Sequence, residues 1–189
     1  MPLLRFCALM LLTVGFVVVA NAQGDKPFPT DDEINLLLTQ TERAMQQYRP
    51  LIDQEESQMG KSYTEAAAKD RQVVDGLEAA IKGFKSKPKA FNGPLGFIFF
   101  GWIDDADRNA LLCASGASFQ AAQAENADGA LALVHLAQGC QDASSLIYAV
   151  SESATALYEK YLEAEAQLTQ QATAALLKCT DVLKKNSKK

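Results

Sequence analysis

Histidine is nearly absent from the chain, whose 189 residues include only His135. A single imidazole excludes zinc sites that need two histidines and the paired Glu-x-x-His motifs of di-iron bundles. The sequence also lacks a haem-attachment motif, a Gly-x-Ser-x-Gly nucleophile motif and a complete phosphate-binding loop. We therefore expect no catalytic site, no cofactor and no metal site, and we interpret His135, which has apolar neighbours, as a buried or boundary residue of a helix.

Long apolar runs are absent except at the amino terminus. Residues 6–20 are uncharged and largely apolar. Ala20-Asn21-Ala22, at the end of this run, is a pattern that signal peptidase recognises. The run is shorter than the about 18 apolar residues that usually span a bilayer, which disfavours the alternative of an uncleaved membrane anchor. We predict a signal peptide over residues 1–22, cleavage before Gln23, and a single periplasmic or extracellular domain for residues 23–189.

Basic residues are too few to give a positive surface. The predicted mature chain has 17 basic and 23 acidic residues, a net charge of −6. Such a chain does not attract nucleic acid or anionic lipid over its whole surface. We therefore exclude nucleic acid as a partner. The overall charge does not exclude a local cluster of basic residues on the surface.

Cysteine is sparse, and the predicted mature chain keeps only Cys113, Cys140 and Cys179. The midpoint between positions 113 and 140 falls in the turn-forming residues 126–129. A helical hairpin with its turn there would bring the two Cα atoms to the roughly 5.5 Å that a disulfide needs. The alternative, one continuous helix over residues 105–138, would hold the two sulfurs about 40 Å apart. We predict a Cys113–Cys140 disulfide and expect Cys179, on an apolar stripe, to be buried and structural.

Proline is absent after Pro94, and β-branched residues are few. Residues 105–183 contain 20 alanines against 8 β-branched residues, a composition that favours helix over strand. We predict an all-α fold, an antiparallel bundle of four or five helices with one long carboxy-terminal helix.

Apolar spacing and capping motifs locate the helices. Two capping boxes, at residues 30–33 and 62–65, predict the first two helix starts, and Pro50 predicts a kink or break in the first helix. We expect a third helix to begin at the acidic residues 104–107 and a short fourth helix to end at Gly139. The last helix should cover about residues 142–185 and is long enough for a coiled-coil contact with another subunit. The predicted buried faces are Ile34, Leu37, Leu38, Thr41, Met45, Tyr48 and Ile52 in the first helix, Tyr63, Ala66, Val73, Val74, Leu77, Ile81 and Phe84 in the second, and Ile147, Val150, Ala154, Leu157, Tyr161, Ala164 and Leu168 in the last.

An uncharged segment, residues 91–103, holds five of the thirteen aromatic residues of the predicted mature chain and follows four lysines. We interpret it as a linker with two possible roles. It either closes one end of the bundle, since aromatic side chains contribute a large buried area, or forms a binding surface. The candidate binding residues are Phe97, Phe99, Phe100 and Trp102.

The sequence from Asp105 to Asn109 imitates the start of a calcium-binding loop. The imitation fails because Ala110 replaces the glycine at the sixth position and Gly116 replaces the carboxylate at the twelfth. We therefore interpret the aspartates as helix caps.

Two classes of function fit these observations. The first is an exported, non-catalytic helical protein that binds a protein partner or an apolar small molecule, with oligomerisation through the last helix as a further option. The second is a membrane-surface protein that inserts the aromatic segment while nearby lysines meet anionic headgroups. An enzyme whose site assembles only in three dimensions is a weaker third possibility.

Overall fold

The computed structural model describes residues 27–186, and helices occupy almost all of this range. The four α-helices are α1 (Asp31–Met59), α2 (Thr64–Ser86), α3 (Pro94–Gln123) and α4 (Ala127–Asn186), and two 3-10 helices, η1 (Lys61–Tyr63) and η2 (Pro88–Phe91), lie in the connections. The described residues contain no strand, so the predicted all-α fold with a long carboxy-terminal helix is confirmed. The predicted signal peptide and the cleavage before Gln23 lie outside the described residues.

Residues 31–158 form one compact unit, whose main core receives side chains from all four helices. Every residue of the predicted α1 face is buried, which confirms the 3.6-residue periodicity of that helix. Pro50 lies inside α1 and does not end it. Tyr48 and Ile52, fully buried on either side of Pro50, hold both flanking turns in the core, so the predicted break does not occur.

The start of α2 differs from the prediction by one residue. Ser62 belongs to η1, and the residue before α2 is Tyr63, which makes no side-chain capping hydrogen bond. The face of α2 is also shifted, since Ala67 is buried and Ala66 is exposed. The second capping box was therefore wrong, although Val74, Leu77, Ile81 and Phe84 are buried as expected.

Residues 94–103 are the first turns of α3 and not a linker. Pro94 lies in the first turn of the helix, where its missing N–H costs nothing. The acidic residues expected to begin this helix lie inside it, about three turns later. Asp104 and Asp107 instead accept hydrogen bonds from Ser151 and Ser144 of α4, at 2.6 Å each.

The α3–α4 hairpin carries the predicted disulfide. Its turn falls at residues 124–126, where Asn126 Oδ1 accepts a hydrogen bond of 2.7 Å from the Gly129 N–H and caps α4. The Cα atoms of Cys113 and Cys140 are 6.0 Å apart and their sulfurs are bonded. The hairpin prediction is confirmed, and the continuous helix over residues 105–138 is excluded.

Gly139 does not end a helix, because α4 is continuous through it. A Cβ atom at this position would lie 2.8 Å from Leu51 Cδ2 of α1. A Cβ at Gly116 of α3 would lie 2.7 Å from Met59 Cε. The two glycines therefore let the end of α1 pack closely against one face of the hairpin. Because α4 continues through Gly139, the short helix predicted to end there and the helix predicted over residues 142–185 are parts of one helix.

The second compact unit comprises residues 1–30 and 159–189, of which the structure describes 27–30 and 159–186. In it the Tyr161 ring of α4 lies 5.8 Å from the Phe28 ring. Leu162, Leu176 and Leu177 are exposed on this part of α4. Cys179 is only half-buried, so the burial expected for it is incomplete. A contact of this helix with another subunit stays a prediction.

Candidate functional site

The aromatic segment is divided between the core and the surface. Phe99 is fully buried, and its ring lies 5.6 Å from the Phe84 ring and 5.9 Å from the Phe91 ring in edge-to-face contacts. Phe100 and Trp102 are half-buried, and Trp102 covers Gly76, where a Cβ would lie 3.3 Å from the indole. Three of the four candidate binding residues therefore contribute to closing this end of the bundle.

The fourth candidate, Phe97, belongs to an exposed apolar surface that we name the end patch. It consists of Leu95, Phe97 and Ile98, which are 57%, 62% and 47% exposed in the first turns of α3. The Phe97 ring lies 5.8 Å from the ring of Tyr158 in α4. The segment is therefore both a bundle closure and an outward-facing surface.

A second candidate surface, which we name the hairpin groove, lies between α3 and α4. From α3 it is lined by Leu111, Ser115, Ser118 and Ala122, whose spacing of four, three and four residues places them on one face of the helix. Val134, Gln138 and Gln141 line it from α4, and alanines lie between the two helices. The groove has a volume of about 790 Å³ and is open to solvent along one side.

The hairpin groove and the contact of the hairpin with α1 lie on different faces of the hairpin. Gly116, which is in close contact with Met59 and the Tyr63 ring, lies about 120–140° around α3 from Leu111 and Ala122. Beneath the groove, a small core around the Cys113–Cys140 disulfide includes Leu133 and Leu136. The groove therefore has a packed base, and its outer side is left uncovered by residues 27–186.

The side chains that line the hairpin groove are apolar or uncharged and polar. None of its lining residues is charged or titratable near neutral pH. The Ser118 hydroxyl donates to the Ala114 carbonyl at 2.8 Å, and the Gln138 amide donates to Asp142 at 2.8 Å. The two serine hydroxyls of the lining have no basic side chain beside them in the groove to activate them, so it holds no nucleophile–base pair.

A buried polar cluster lies between α1 and α2, and the sequence did not indicate it. The Tyr48 hydroxyl donates a 2.7 Å hydrogen bond to Asp70 Oδ2. Glu55 is buried on the same face of α1, and its Oε2 atom has no hydrogen-bond partner among the described residues. Burial, assisted by the charge of Asp70, raises the pKa of Glu55 to about 7. Tyr48, Glu55 and Asp70 are all almost fully buried, so we interpret the cluster as part of the packing of α1 against α2.

Other residues weighed from the sequence have ordinary positions. His135 is exposed on α4, so of its two predicted positions the buried one was wrong, and Leu133 and Leu136 beside it are buried. Asp105 Oδ1 lies 3.6 Å from Arg108 Nη1, and the two residues form an ion pair within α3. Among residues 27–186, no three histidine, cysteine or acidic side chains converge as a metal site, and no helix is long and apolar enough to cross a membrane.

Comparison with protein-family models, with curated proteins and with solved structures found no match for this chain.

Proposed function

We propose that the protein is an exported, non-catalytic binding module that holds an amphipathic helix of a partner protein in the hairpin groove. The observation that carries this proposal is an uncharged groove with a packed base, open along its outer side, on the face of the hairpin that α1 does not cover. Helix-in-groove recognition uses such a surface to bury the apolar stripe of a partner helix.

The dimensions and lining of the groove favour a helix as the bound partner. Its α3 wall runs from Leu111 to Ala122, about 16 Å or three helical turns. Serine and alanine side chains at its centre permit close approach of another backbone, and Gln141 at one end offers an amide that can fix the register. A drug-sized ligand usually has most of its surface buried, which a groove open along one side cannot provide.

The disulfide supports both the binding role and the exported location. It joins α3 to α4 directly beneath the groove, so the two walls keep their spacing without a bound partner. Disulfides persist in oxidising compartments, in agreement with the signal sequence predicted for residues 1–22. Intact-mass measurement of exported protein should give a chain that begins at Gln23, and retention of residues 1–22 would contradict the export proposal.

The groove is tested by selecting displayed amphipathic helical peptides on the mature protein and measuring the affinity of the best peptide by fluorescence anisotropy. We expect Ser118→Arg and Ala122→Arg each to weaken binding at least about tenfold, because each places an unpaired charge against an apolar stripe. Gln123→Arg is the matched control, since it adds the same charge one residue along on another face of α3. No saturable peptide binding, or equal losses in the control, would overturn the proposal.

A further inference from the structure

We propose that the end patch binds the interface of an anionic lipid bilayer, together with the lysines that precede it. This surface is separate from the hairpin groove, so the inference does not depend on the function proposed there. It rests on three observations, namely an exposed apolar tip, a rigid support beneath it and a local excess of positive charge.

The apolar tip is formed by three neighbouring residues at the start of α3. Leu95, Phe97 and Ile98 project from the first two turns and are about half exposed or more. Shallow insertion at the headgroup boundary would remove this apolar area from water without requiring a membrane-spanning helix.

The support beneath the tip fixes its orientation. Phe99, between the exposed Ile98 and the half-buried Phe100, is anchored in the core against Phe84. Gly96 lies directly against the Phe91 backbone carbonyl, where a Cβ atom would collide with the oxygen. The tip is therefore held in an exposed position by the packing of η2 and α3, and little ordering is needed on binding.

The segment that carries the tip has a charge opposite to that of the rest of the chain. Residues 79–103 contain four lysines and no acidic residue, whereas the remainder of the predicted mature chain has 13 basic and 23 acidic residues. Lys85 forms an ion pair of 2.6 Å with Glu42. Lys82, Lys87 and Lys89 are exposed and make no ion pair with any described residue. Long lysine stems can lie along apolar surface while their ammonium groups reach phosphates.

The size of the end patch favours a lipid interface over a protein partner. A stable protein interface buries about 800 Å² on each side, which needs many more side chains than three. Adsorption to a bilayer needs only a few inserted apolar side chains and several basic groups nearby. The two surfaces lie at different ends of α3, since Leu111 of the groove is about 20 Å along the helix from Ile98.

The test is co-sedimentation of the mature protein with vesicles of phosphatidylcholine containing about 30% phosphatidylglycerol, compared with phosphatidylcholine alone. We expect binding to the anionic vesicles only, weakened by salt. Phe97→Ser should lower the partition coefficient about tenfold. Replacing Lys82, Lys87 and Lys89 by glutamine should lower it about a hundredfold at low salt, since each lysine near an anionic surface contributes a factor of about five.

Matched controls separate the end patch from general surface effects. Phe119→Ser removes a phenylalanine that is 61% exposed farther along α3, and Lys61, Lys69 and Lys178 replaced by glutamine remove three lysines elsewhere. Both controls should leave vesicle binding unchanged. Equal losses in the controls, no binding to anionic vesicles, or binding to polyglutamate without binding to vesicles would overturn the proposal.

Fluorescence provides a readout that needs no variant. Trp102 is the only tryptophan in the chain and lies one helical turn from Ile98. Lipids brominated near the headgroup boundary should quench its emission in anionic vesicles more than lipids brominated deep in the chains. Sedimentation without any quenching would overturn the assignment of binding to this end of the bundle.

Discussion

The hydroxyl group of Tyr48 donates a hydrogen bond of 2.7 Å to Asp70 Oδ2 in the interface between α1 and α2. Both side chains are removed from solvent. Burial raises the pKa of Asp70, and the hydrogen bond from Tyr48 opposes that increase. Burial and the nearby carboxylate raise the pKa of Tyr48, so its hydroxyl remains a donor throughout the physiological range.

Removal of this donor should destabilise the bundle. Tyr48→Phe leaves the Asp70 carboxylate without its partner, and we expect the free energy of unfolding to fall by about 1–3 kcal/mol at neutral pH. The loss should shrink as the pH is lowered and Asp70 becomes protonated. Urea unfolding at two pH values measures this, with Tyr148→Phe on the exposed face of α4 as control. Equal stability of Tyr48→Phe and the control would contradict the assigned role.

Glu55 should make the protein less stable as the pH rises. Its folded pKa of about 7 lies above the ordinary value of 4.5, so the folded state retains a proton that the unfolded state releases. The stability contributed by this proton is complete below about pH 4.5 and is lost as the pH rises through 7. Because each unit corresponds to about 1.4 kcal/mol, the total is about 3 kcal/mol.

Glu55→Gln should remove this dependence and raise the melting temperature at pH 8 more than at pH 5. The control is Glu56→Gln, which affects the neighbouring carboxylate that pairs with Arg71 at the surface. Thermal unfolding by circular dichroism across pH 5–8 compares the variants. A wild-type stability that is constant over this interval would show that Glu55 is not held protonated.

The disulfide should contribute to stability mainly by restricting the unfolded chain. The two cysteines are 27 residues apart, and a loop of that length corresponds to about 3.5 kcal/mol. We expect Cys113→Ser combined with Cys140→Ser to lower the melting temperature, whereas Cys179→Ser should change it little. Non-reducing peptide mapping should recover the linked pair, and alkylation of both thiols in the oxidised protein would disprove the bond.

Neighbouring aromatic residues of α3 should respond differently to truncation. Phe99→Ser removes a fully buried ring and should cost about 3–5 kcal/mol of unfolding free energy. Phe97→Ser alters an exposed ring and should change stability by less than about 0.5 kcal/mol. Denaturant titration of the two variants measures the difference, and comparable losses would mean that the end patch is part of the core.

The features that were predictable from the sequence depend on local regularity. The apolar face of α1 followed from the spacing of its large side chains, and the disulfide followed from the symmetric positions of Cys113 and Cys140 about a turn. Both are properties of one helix or one hairpin. They require no knowledge of which element packs against them.

The features that were missed depend on neighbouring elements. Gly139 resembles a helix terminus in the sequence, yet its lack of a Cβ serves the contact with Leu51. Glu55 lies seven residues after Tyr48 on the buried stripe, but a glutamate is expected from sequence alone to be exposed to solvent. The hairpin groove exists because no described element covers one face of a surface rich in alanine and serine. Periodicity alone does not determine which face of a helix is left uncovered.

The Cys113–Cys140 bond also closes a covalent ring that contains most of the hairpin groove, including Ser115, Ser118 and Val134. A protease that cuts one peptide bond near the hairpin turn opens this ring without separating the chain into two molecules. The cut protein keeps its full mass on a non-reducing gel and falls apart into two fragments only after reduction. Both walls of the groove stay attached to the bundle, so the surface can survive a single cleavage in a compartment where proteases are present.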